Sequence, residues 1–302
     1  MSRSLTNYKI DDSPTTLSSK KSAVIIVTYK SIPDLDRLIL CLKYVDYIFI
    51  SDNGSNSEII QKLKIFKSKN SARIFLLLNK KNYGLSKPLN YAVKYLEKHG
   101  VYWFYIFDQD AIVDNEYYSE AVSVWNQCEN DHRKVGMVVP IVGNQVNLLG
   151  QKLNLKNYVS NIASAITSGI FTNIDILRAV GGFDESFFVY GADIDFTLRV
   201  RKAGYKICRI NRIYIVQSYG VSVVDNRMKS RIFFKLNNIN SVLNIRLNAI
   251  NSYQTISYLY NNESLNSQID TSRRINRKYG RYIAELYRLI QKFLSPVLRG
   301  GM

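Results

Sequence analysis

Residues 103–110 read Trp103-Phe104-Tyr105-Ile106-Phe107-Asp108-Gln109-Asp110, so an apolar run ends in two carboxylates. The apolar part is typical of a strand buried in a sheet. Side chains two residues apart share a face of a strand, so we expect Asp108 and Asp110 to project together from its carboxyl end. Two such carboxylates can hold a divalent cation, and the cation can hold a diphosphate. Taken alone, the pattern also fits an ordinary strand followed by an acidic turn.

Strand and helix patterns alternate along the chain up to this stretch. Short runs rich in β-branched and aromatic residues predict strands at residues 23–28, 47–51, 73–78 and 102–107. Helical periodicity fills the intervals at residues 34–42, 59–66 and 85–98. These repeated units predict an α/β fold, a Rossmann-like, mostly parallel twisted sheet that is flanked by helices.

The turn after the first strand argues against two common nucleotide-binding classes. It carries Thr28-Tyr29-Lys30 and lacks a G-x-G-x-x-G pattern, and the sequence contains no Walker A motif. A dinucleotide-dependent dehydrogenase and a P-loop NTPase are therefore disfavoured. A nucleotide-binding plan remains, because polar residues follow strands one, two and four at one edge of the sheet.

The second half of the sequence continues the sheet and then becomes helical and basic. We predict strands at residues 135–142 and 205–216, helices at 174–180 and 193–203, and an active-site loop in the Asn-rich residues 143–162. Three regions follow from these patterns. Residues 1–20 form a flexible segment, residues 21–225 the main domain, and residues 226–302 a basic helical extension.

Composition indicates a folded protein with a polyanionic partner. Of 302 residues, 46% are hydrophobic, and the net charge is +17. Residues 226–302 contain 13 Lys and Arg against three acidic residues. Such a basic surface fits nucleic acid, an anionic membrane or a phosphorylated substrate, and compositional drift is the alternative.

Cysteine spacing and hydropathy lead us to expect a cytoplasmic protein. Cys41, Cys128 and Cys208 lie far apart and form no C-x-x-C pair, which argues against a disulfide scaffold or a zinc site. The first 20 residues lack the apolar region of a secretory signal. No apolar run approaches the ~20 residues of a membrane-spanning helix. Peripheral attachment to the inner face of the cell membrane stays open.

Short motifs occur in a fixed order between residue 23 and about residue 220. They are Val27-Thr28-Tyr29, Ser51-Asp52-Asn53-Gly54-Ser55, Asn82-Tyr83-Gly84 with Asn90, Asp108-Gln109-Asp110, Thr167-Ser168-Gly169, Gly181-Gly182-Phe183-Asp184-Glu185, and Gly191-Ala192-Asp193-Ile194-Asp195-Phe196 with Leu198-Arg199. In this order they resemble the inverting family-two glycosyltransferases of the GT-A fold, and most closely their bacterial rhamnosyltransferase branch. The Asp-Gln-Asp form implies a deoxythymidine-diphosphate (dTDP) rhamnose donor, with a UDP-hexose donor as the alternative.

The resemblance implies a nucleoside-diphosphate sugar as donor and a divalent cation, Mn²⁺ or Mg²⁺, as cofactor. Asp110 would ligate the cation, and Asp108 would lie nearer the ribose and serve as a second ligand. Asp52 would accept a hydrogen bond from the pyrimidine N–H, or alternatively form an Asx-turn that caps its own loop. The other donor-binding residues that the resemblance implies are Thr28, Tyr29, Asn53, Asn82, Gly84 and Gly169.

Inverting transfer needs a carboxylate that takes the proton of the acceptor hydroxyl. The resemblance assigns this role to Asp193, with Asp195 as a supporting carboxylate and Gly191 allowing close backbone approach to the sugar. The alternative is that Asp193 is the N-cap of a helix and that Asp195 complements the helix dipole. Both roles can coincide. We expect Arg199, one turn further on, to pair with Asp195.

Two positions depart from the family pattern. Gln217 stands where many relatives carry a His that can complete the metal site, so the cation would bind weakly, be completed by water or phosphate, or not be needed. Ala192 stands where an acidic residue is usual. These departures keep a non-catalytic sugar-binding protein open as an alternative.

The resemblance implies an acceptor that is a cell-surface polysaccharide, O-antigen or capsule precursor, either an oligosaccharide or a polyprenyl-diphosphate-linked chain. The basic C-terminal helix, with an apolar stripe, suits an anionic membrane surface. Packing on the main domain or in a homodimer is the alternative. A nucleic-acid-binding protein is the competing class, but no nucleic-acid partner is expected, because the sequence contains no matching motif.

Overall fold

A computed structural model describes residues 20–130, 134–143, 159–162, 164–189 and 191–217. Eight strands in this part of the chain form one sheet. They are β1 (Lys21–Thr28), β2 (Tyr47–Asp52), β3 (Ile74–Leu78), β4 (Val101–Asp108), β5 (Val135–Gly143), β6 (Val159–Asn161), β7 (Ile170–Asn173) and β8 (Lys206–Val216). The described helices are α1 (Leu35–Cys41), α2 (Ser57–Lys69), α3 (Ser86–Glu97), α4 (Glu116–Asn130), α5 (Ile174–Val180) and α6 (Ala192–Lys202).

The strands lie in the order β3-β2-β1-β4-β7-β5-β8-β6. The pairs β2–β3, β1–β2, β1–β4 and β5–β8 are parallel. Strand β7 runs antiparallel to both β4 and β5, and β6 runs antiparallel to β8. The predicted mostly parallel sheet flanked by helices is confirmed. The antiparallel strand inserted at its centre was not predicted.

Parallel pairing brings the carboxyl ends of β1, β2 and β4 to one edge. Thr28 lies opposite Asp52, and Val27 lies opposite Asp108. The apolar residues that precede these ends are buried, because both faces of the sheet are covered by helices. Polar side chains that follow the three strands therefore collect at the same edge.

Helix α4 has no counterpart among the predicted elements. It places Tyr117, Tyr118 and Trp125 in the core, and the Trp125 ring lies 4.9 Å from Trp103 on β4, centroid to centroid. Its buried positions, 117, 118, 121, 122, 124, 125 and 128, recur at helical spacing, so the sequence did carry this helix. Helix α5, in contrast, has the predicted bounds, and its N-cap Asn173 accepts a hydrogen bond from Ile176 N at 3.1 Å.

Several predicted regions lie outside the described residues. These are the flexible segment except Lys20, residues 218–225, the basic extension 226–302 and most of the predicted loop 143–162. At the end of that loop, residues 159–161 form β6. Within the described ranges, no helix is long and apolar enough to cross a membrane.

Candidate active site

The two carboxylates that follow the apolar run lie at the carboxyl edge of the sheet. Asp108 is the last residue of β4, whereas Gln109 and Asp110 form the turn after it. The expectation that strand alternation aligns both carboxylates is wrong, because the strand ends before Asp110. The two groups are nevertheless close, since the charge of Asp110 raises the pKa of Asp108.

Two other carboxylates lie within charge-interaction range of Asp108 at this edge. Burial is the main cause that raises the pKa of Asp108 to about 6. A hydrogen bond from Gln217 opposes this rise. In that bond, Nε2 of Gln217 donates to Oδ2 of Asp108 at 2.7 Å. Repulsion from Asp193 and Asp110 raises the same pKa further. The fold therefore concentrates negative charge where a cation or a proton would be stabilised.

Asp193 lies in the first turn of α6 and is only partly buried. Its Oδ1 accepts a hydrogen bond from the backbone N–H of Ile194 at 2.8 Å. Burial raises the pKa of Asp193 to about 6, and hydrogen bonds to the backbone of Ile194, Asp193 and Thr167 oppose the shift. A carboxylate with its pKa close to neutral pH, within charge-interaction range of Asp108 at the end of β4, is suited to general-base catalysis.

The alternative that Asp193 is the N-cap of its helix is wrong. Helix α6 begins at Ala192, one residue earlier than predicted, so the cap residue is Gly191. Gly191 has φ 85°, a left-handed conformation that glycine adopts without strain. Asp193 and Asp195 both remain in the first turn, where negative charge interacts favourably with the helix dipole.

Asp195 is buried and is held by the arginine one turn further along α6. Its Oδ2 accepts from Nε of Arg199 at 2.9 Å and from Nη2 at 2.6 Å. Arg199 also donates to the backbone oxygens of Val180 and Gly182, the latter at 2.7 Å. The predicted ion pair is confirmed. Arg199 thus ties α6 to the end of α5, and a supporting role of Asp195 in the site stays a prediction.

Asp52 is fully buried, and its carboxylate already accepts four hydrogen bonds. Oδ2 accepts from the hydroxyls of Thr28 at 2.9 Å and Ser55 at 2.6 Å. Oδ1 accepts from the backbone N–H groups of Gly54 and Ser55, at 3.1 and 2.9 Å. The alternative Asx-turn is therefore present. A direct nucleobase contact by Asp52 stays a prediction, and it would require one of these donors to move.

Asn53, Asn82 and Gly84 brace neighbouring loops. Nδ2 of Asn53 donates to the Gly84 carbonyl at 2.7 Å, and Oδ1 of Asn82 accepts from Gly84 N at 2.8 Å. Gly84 has φ 79°, and a Cβ there would lie 2.0 Å from the Phe188 carbonyl oxygen. That oxygen accepts from Leu85 N at 2.6 Å. The three residues thus join the loops after β2 and β3 to the segment before α6, and their contact with a donor stays a prediction.

The Thr167-Ser168-Gly169 motif precedes β7 and adjoins the end of β4. Gly169 N donates to the Ile106 carbonyl at 2.8 Å, and Asp108 N donates to Oγ of Ser168 at 3.3 Å. Gly169 has φ 88°, and a Cβ there would lie 2.5 Å from Pro140. Packing against Pro140 therefore accounts for this glycine, and its predicted approach to the sugar stays untested.

Asn90 pairs with the backbone of Phe183, in the loop after α5. Nδ2 of Asn90 donates to the Phe183 carbonyl at 2.8 Å, and Phe183 N donates back to Oδ1 at 2.9 Å. This pairing attaches the loop after α5 to helix α3. Two motifs whose contacting residues are 93 positions apart therefore form one structural unit.

The structure adds one residue that the predicted site omitted. Gln109, the middle residue of the Asp-Gln-Asp motif, bonds twice to the main chain of Tyr29. Tyr29 itself follows β1 and keeps 38% of its surface exposed. The position of Gln109 between two predicted metal ligands was a signal in the sequence, but its partner became visible only with the fold.

The site contains oxygen donors that fit a hard divalent cation. Among the described residues, no three His, Cys, Asp or Glu side chains form a ready-made metal centre. The carboxylates of Asp108 and Asp110 are close together, and the buried Oε1 of Gln217 has no hydrogen-bond partner in the described part of the chain. Mg²⁺ and Mn²⁺ prefer carboxylate and carbonyl oxygens. A cation would thus be completed by diphosphate oxygens or water.

A family model described as Glycosyl transferase family 2 matches residues 23–175. The dTDP-rhamnosyl transferase RfbF of Shigella flexneri is 24% identical over 217 residues, which cover 68% of this chain and 71% of RfbF.

Solved structures of S. aureus TarS are similar at a lower level. The TarS structure has a TM-score of 0.49 and 16% identity, and the match covers 66% of this chain and 36% of TarS. A TarS 1–349 structure in complex with UDP has a TM-score of 0.46 and 16% identity, with 65% and 59% covered. The chain thus spans about a third of the TarS chain and under two thirds of its 1–349 part. From the family match, which includes both Asp52 and the Asp-Gln-Asp motif, we conclude that the chain belongs to glycosyl transferase family 2 and is a glycosyltransferase.

Proposed function

We propose that this chain is an inverting glycosyltransferase that moves rhamnose from dTDP-rhamnose to a hydroxyl of a cell-surface polysaccharide precursor. One observation carries the proposal. The carboxylate of Asp193, with a pKa raised to about 6, lies close enough to Asp108 to raise that residue's pKa in turn. The residue proposed as general base, Asp193, is thereby a neighbour of the carboxylates that we propose for the diphosphate end of the donor.

Asp193 would take the proton from the acceptor hydroxyl. As the proton leaves, the acceptor oxygen attacks the anomeric carbon from the face opposite the diphosphate. The bond from that carbon to the diphosphate oxygen breaks, and the nucleoside diphosphate departs with the bonding electrons. A base with a pKa of about 6 is mostly ionised at pH 7 and still basic enough to accept a proton in the transition state.

Asp110 and Asp108 would hold the divalent cation. When bound, the cation neutralises charge that develops on the leaving diphosphate. Asp108 is already fixed by Gln217 at 2.7 Å, so its carboxylate is oriented before any ligand arrives. Such preorganisation reduces the reorganisation that binding would otherwise require.

The choice of donor rests on the Asp-Gln-Asp motif and on the relative RfbF, whose name gives dTDP-rhamnose. A UDP-hexose donor is the alternative. A thermal-shift panel of dTDP, UDP and their sugars, with and without Mn²⁺, distinguishes them, because a ligand that binds only the folded state raises its melting temperature. We expect larger shifts with dTDP than with UDP. Equal or reversed shifts would contradict the rhamnose donor.

Catalysis itself is tested by donor turnover. The wild-type chain should release nucleoside diphosphate from dTDP-rhamnose in the presence of an acceptor extract, and Asp193→Asn should not. Asp36→Asn, a change at an exposed carboxylate in α1, is the matched control. If wild type and Asp193→Asn are equally inactive with every nucleotide sugar while still binding one, the chain is the non-catalytic sugar-binding alternative.

The acceptor would be an oligosaccharide or a polyprenyl-diphosphate-linked precursor at the inner face of the membrane. Support comes from the basic residues of the predicted C-terminal helix, which lies outside the described residues. Flotation of the full chain at low salt with vesicles that contain anionic lipid tests whether the chain binds the membrane surface. Absence of binding would favour packing of that helix on the main domain or in a homodimer.

A further inference from the structure

The side chain of Gln109 pairs with the main chain of Tyr29 through both of its amide atoms. Tyr29 N donates to Oε1 of Gln109 at 2.7 Å, and Nε2 of Gln109 donates to the Tyr29 carbonyl at 3.3 Å. The two residues are 80 positions apart in the sequence and follow β1 and β4, which are adjacent in the sheet. The amide thus extends the pairing of the two strands beyond their last backbone bonds.

The next residue in the β1 loop is held from the other side. Lys30 has φ 54°, a left-handed conformation that is unusual for a residue with a side chain. Its backbone N–H donates to Oγ of Ser55 at 2.8 Å, and Ser55 donates in turn to Asp52. The peptide around Tyr29 is therefore fixed by side chains from the loops after β2 and β4.

Tyr29 stays exposed although its backbone is fixed by these hydrogen bonds. Tyr29 is 38% exposed, and Nζ of Lys30 lies over its ring at 5.1 Å from the centroid. An exposed aromatic ring on a fixed backbone is a platform on which a nucleobase can stack. Because Gln109 lies between Asp108 and Asp110, the same side chain fixes the distance from this platform to the carboxylate pair.

We propose that Gln109 is a positioning residue for the donor nucleotide, because it sets the Tyr29 platform relative to the diphosphate-binding carboxylates. The inference rests on the proposed function, since it takes the ligand to be a pyrimidine nucleoside diphosphate. Gln suits this position because one planar group supplies a donor and an acceptor at once. Methionine has a similar length and supplies neither. Asparagine has the same amide on a side chain that is one methylene shorter.

The test compares Gln109→Met and Gln109→Asn with the wild-type chain by calorimetric titration with dTDP, UDP and inorganic pyrophosphate. We expect Gln109→Met to weaken nucleotide binding roughly 5- to 30-fold, the loss that one or two hydrogen bonds correspond to. Pyrophosphate binding should change less than about twofold, because it does not reach Tyr29. Gln109→Asn should weaken nucleotide binding as well, because its amide is too short for both bonds.

Kinetics and stability separate positioning from a merely structural role. Gln109→Met should raise the donor KM by the same factor and leave kcat and the melting temperature nearly unchanged. Gln61→Leu, a change at an exposed glutamine of α2, is the control and should leave KM, kcat and the melting temperature unchanged. Unchanged nucleotide affinity, or equal losses for nucleotide and pyrophosphate, would overturn the inference and leave the proposed function intact. If the wild-type chain binds neither nucleotide, both fail.

Discussion

Nε2 of Gln217 donates a 2.7 Å hydrogen bond to Oδ2 of Asp108, and this bond joins the residue after β8 to the last residue of β4. The two strands are separated in the sheet by β7 and β5. The bond stabilises the ionised carboxylate and therefore opposes the effect of burial on its pKa. Gln217 thus favours the ionised form of Asp108.

Replacing Gln217 should alter the pH dependence of activity. In Gln217→Leu the donor is lost, so the pKa of Asp108 should rise above its present value of about 6. The acidic limb of the donor kcat/KM profile should move to higher pH. Gln127→Leu, at an exposed position of α4, should leave the profile unchanged. A profile identical to that of wild type would contradict a role for the hydrogen bond.

Asp193→Asn should lower kcat by roughly 10²- to 10⁴-fold, the range that a positioned general base contributes. Asparagine can still accept the hydrogen bond from Ile194 N, so the fold of the helix start should persist. Nucleotide affinity should therefore change little. Transfer assays and calorimetry on the same preparation test both expectations. A loss of nucleotide affinity comparable to the loss of kcat would show that Asp193 binds the donor.

The raised pKa of Asp193 also predicts how stability depends on pH. Its folded-state pKa of about 6 exceeds the ordinary value of 3.8, so folding favours the protonated form. The free energy of unfolding should thus fall as pH rises from about 4 to about 6 and stay low above that. Asp193→Asn should be more stable than wild type above pH 6, by roughly 1–2 kcal/mol. This gain in stability is smaller than the free energy that the full pKa shift corresponds to, because the side chain is partly exposed and solvent screens its charge.

Denaturant titrations at pH 4.5 and pH 7.5 measure this difference. The gain in stability of Asp193→Asn should be clear at pH 7.5 and small at pH 4.5. A gain that is the same at both values would mean that the carboxylate charge is not its cause.

Gly84→Ala should destabilise the chain more than Gly100→Ala. Both glycines have positive φ, 79° and 78°, so both changes carry the left-handed strain of about 1 kcal/mol. A Cβ at Gly84 would also collide with the Phe188 carbonyl at 2.0 Å, whereas one at Gly100 meets nothing within 4 Å. We expect a further loss of roughly 1–3 kcal/mol for Gly84→Ala in urea unfolding. Equal losses of stability for the two variants would mean that the loop of Gly84 moves away from Phe188 easily.

Arg199→Lys should cost roughly 2–4 kcal/mol in the same unfolding measurement. Lysine cannot reproduce the two bonds to Asp195 together with those to the carbonyls of α5, and it leaves a buried carboxylate less well paired. Arg37→Lys, in an exposed pair with Asp34, is the control and should cost under about 1 kcal/mol. If both variants lose a similar amount of stability, the buried ion pair of Arg199 and Asp195 contributes little to the free energy of unfolding.

Much of the site was accessible from local patterns. The apolar runs before Thr28, Asp52 and Asp108 predicted three strands whose carboxyl ends share an edge, and the register of the sheet agrees. The spacing of Asp195 and Arg199 predicted their ion pair. These features depend on periodicity and on contacts within one or two turns, which the sequence displays directly.

The sequence by itself determined the α/β alternation, the strand ends that carry carboxylates and the helix start that carries Asp193. The tertiary structure alone decided that β7 enters the sheet antiparallel beside β4, that Thr28 of β1 completes the hydrogen bonds of Asp52, and that Gln109 and Gln217 reach Tyr29 and Asp108. Local periodicity reflects which face of an element is buried. The partner of a polar side chain 80 to 109 positions away depends on sheet order and loop closure, which no local pattern encodes.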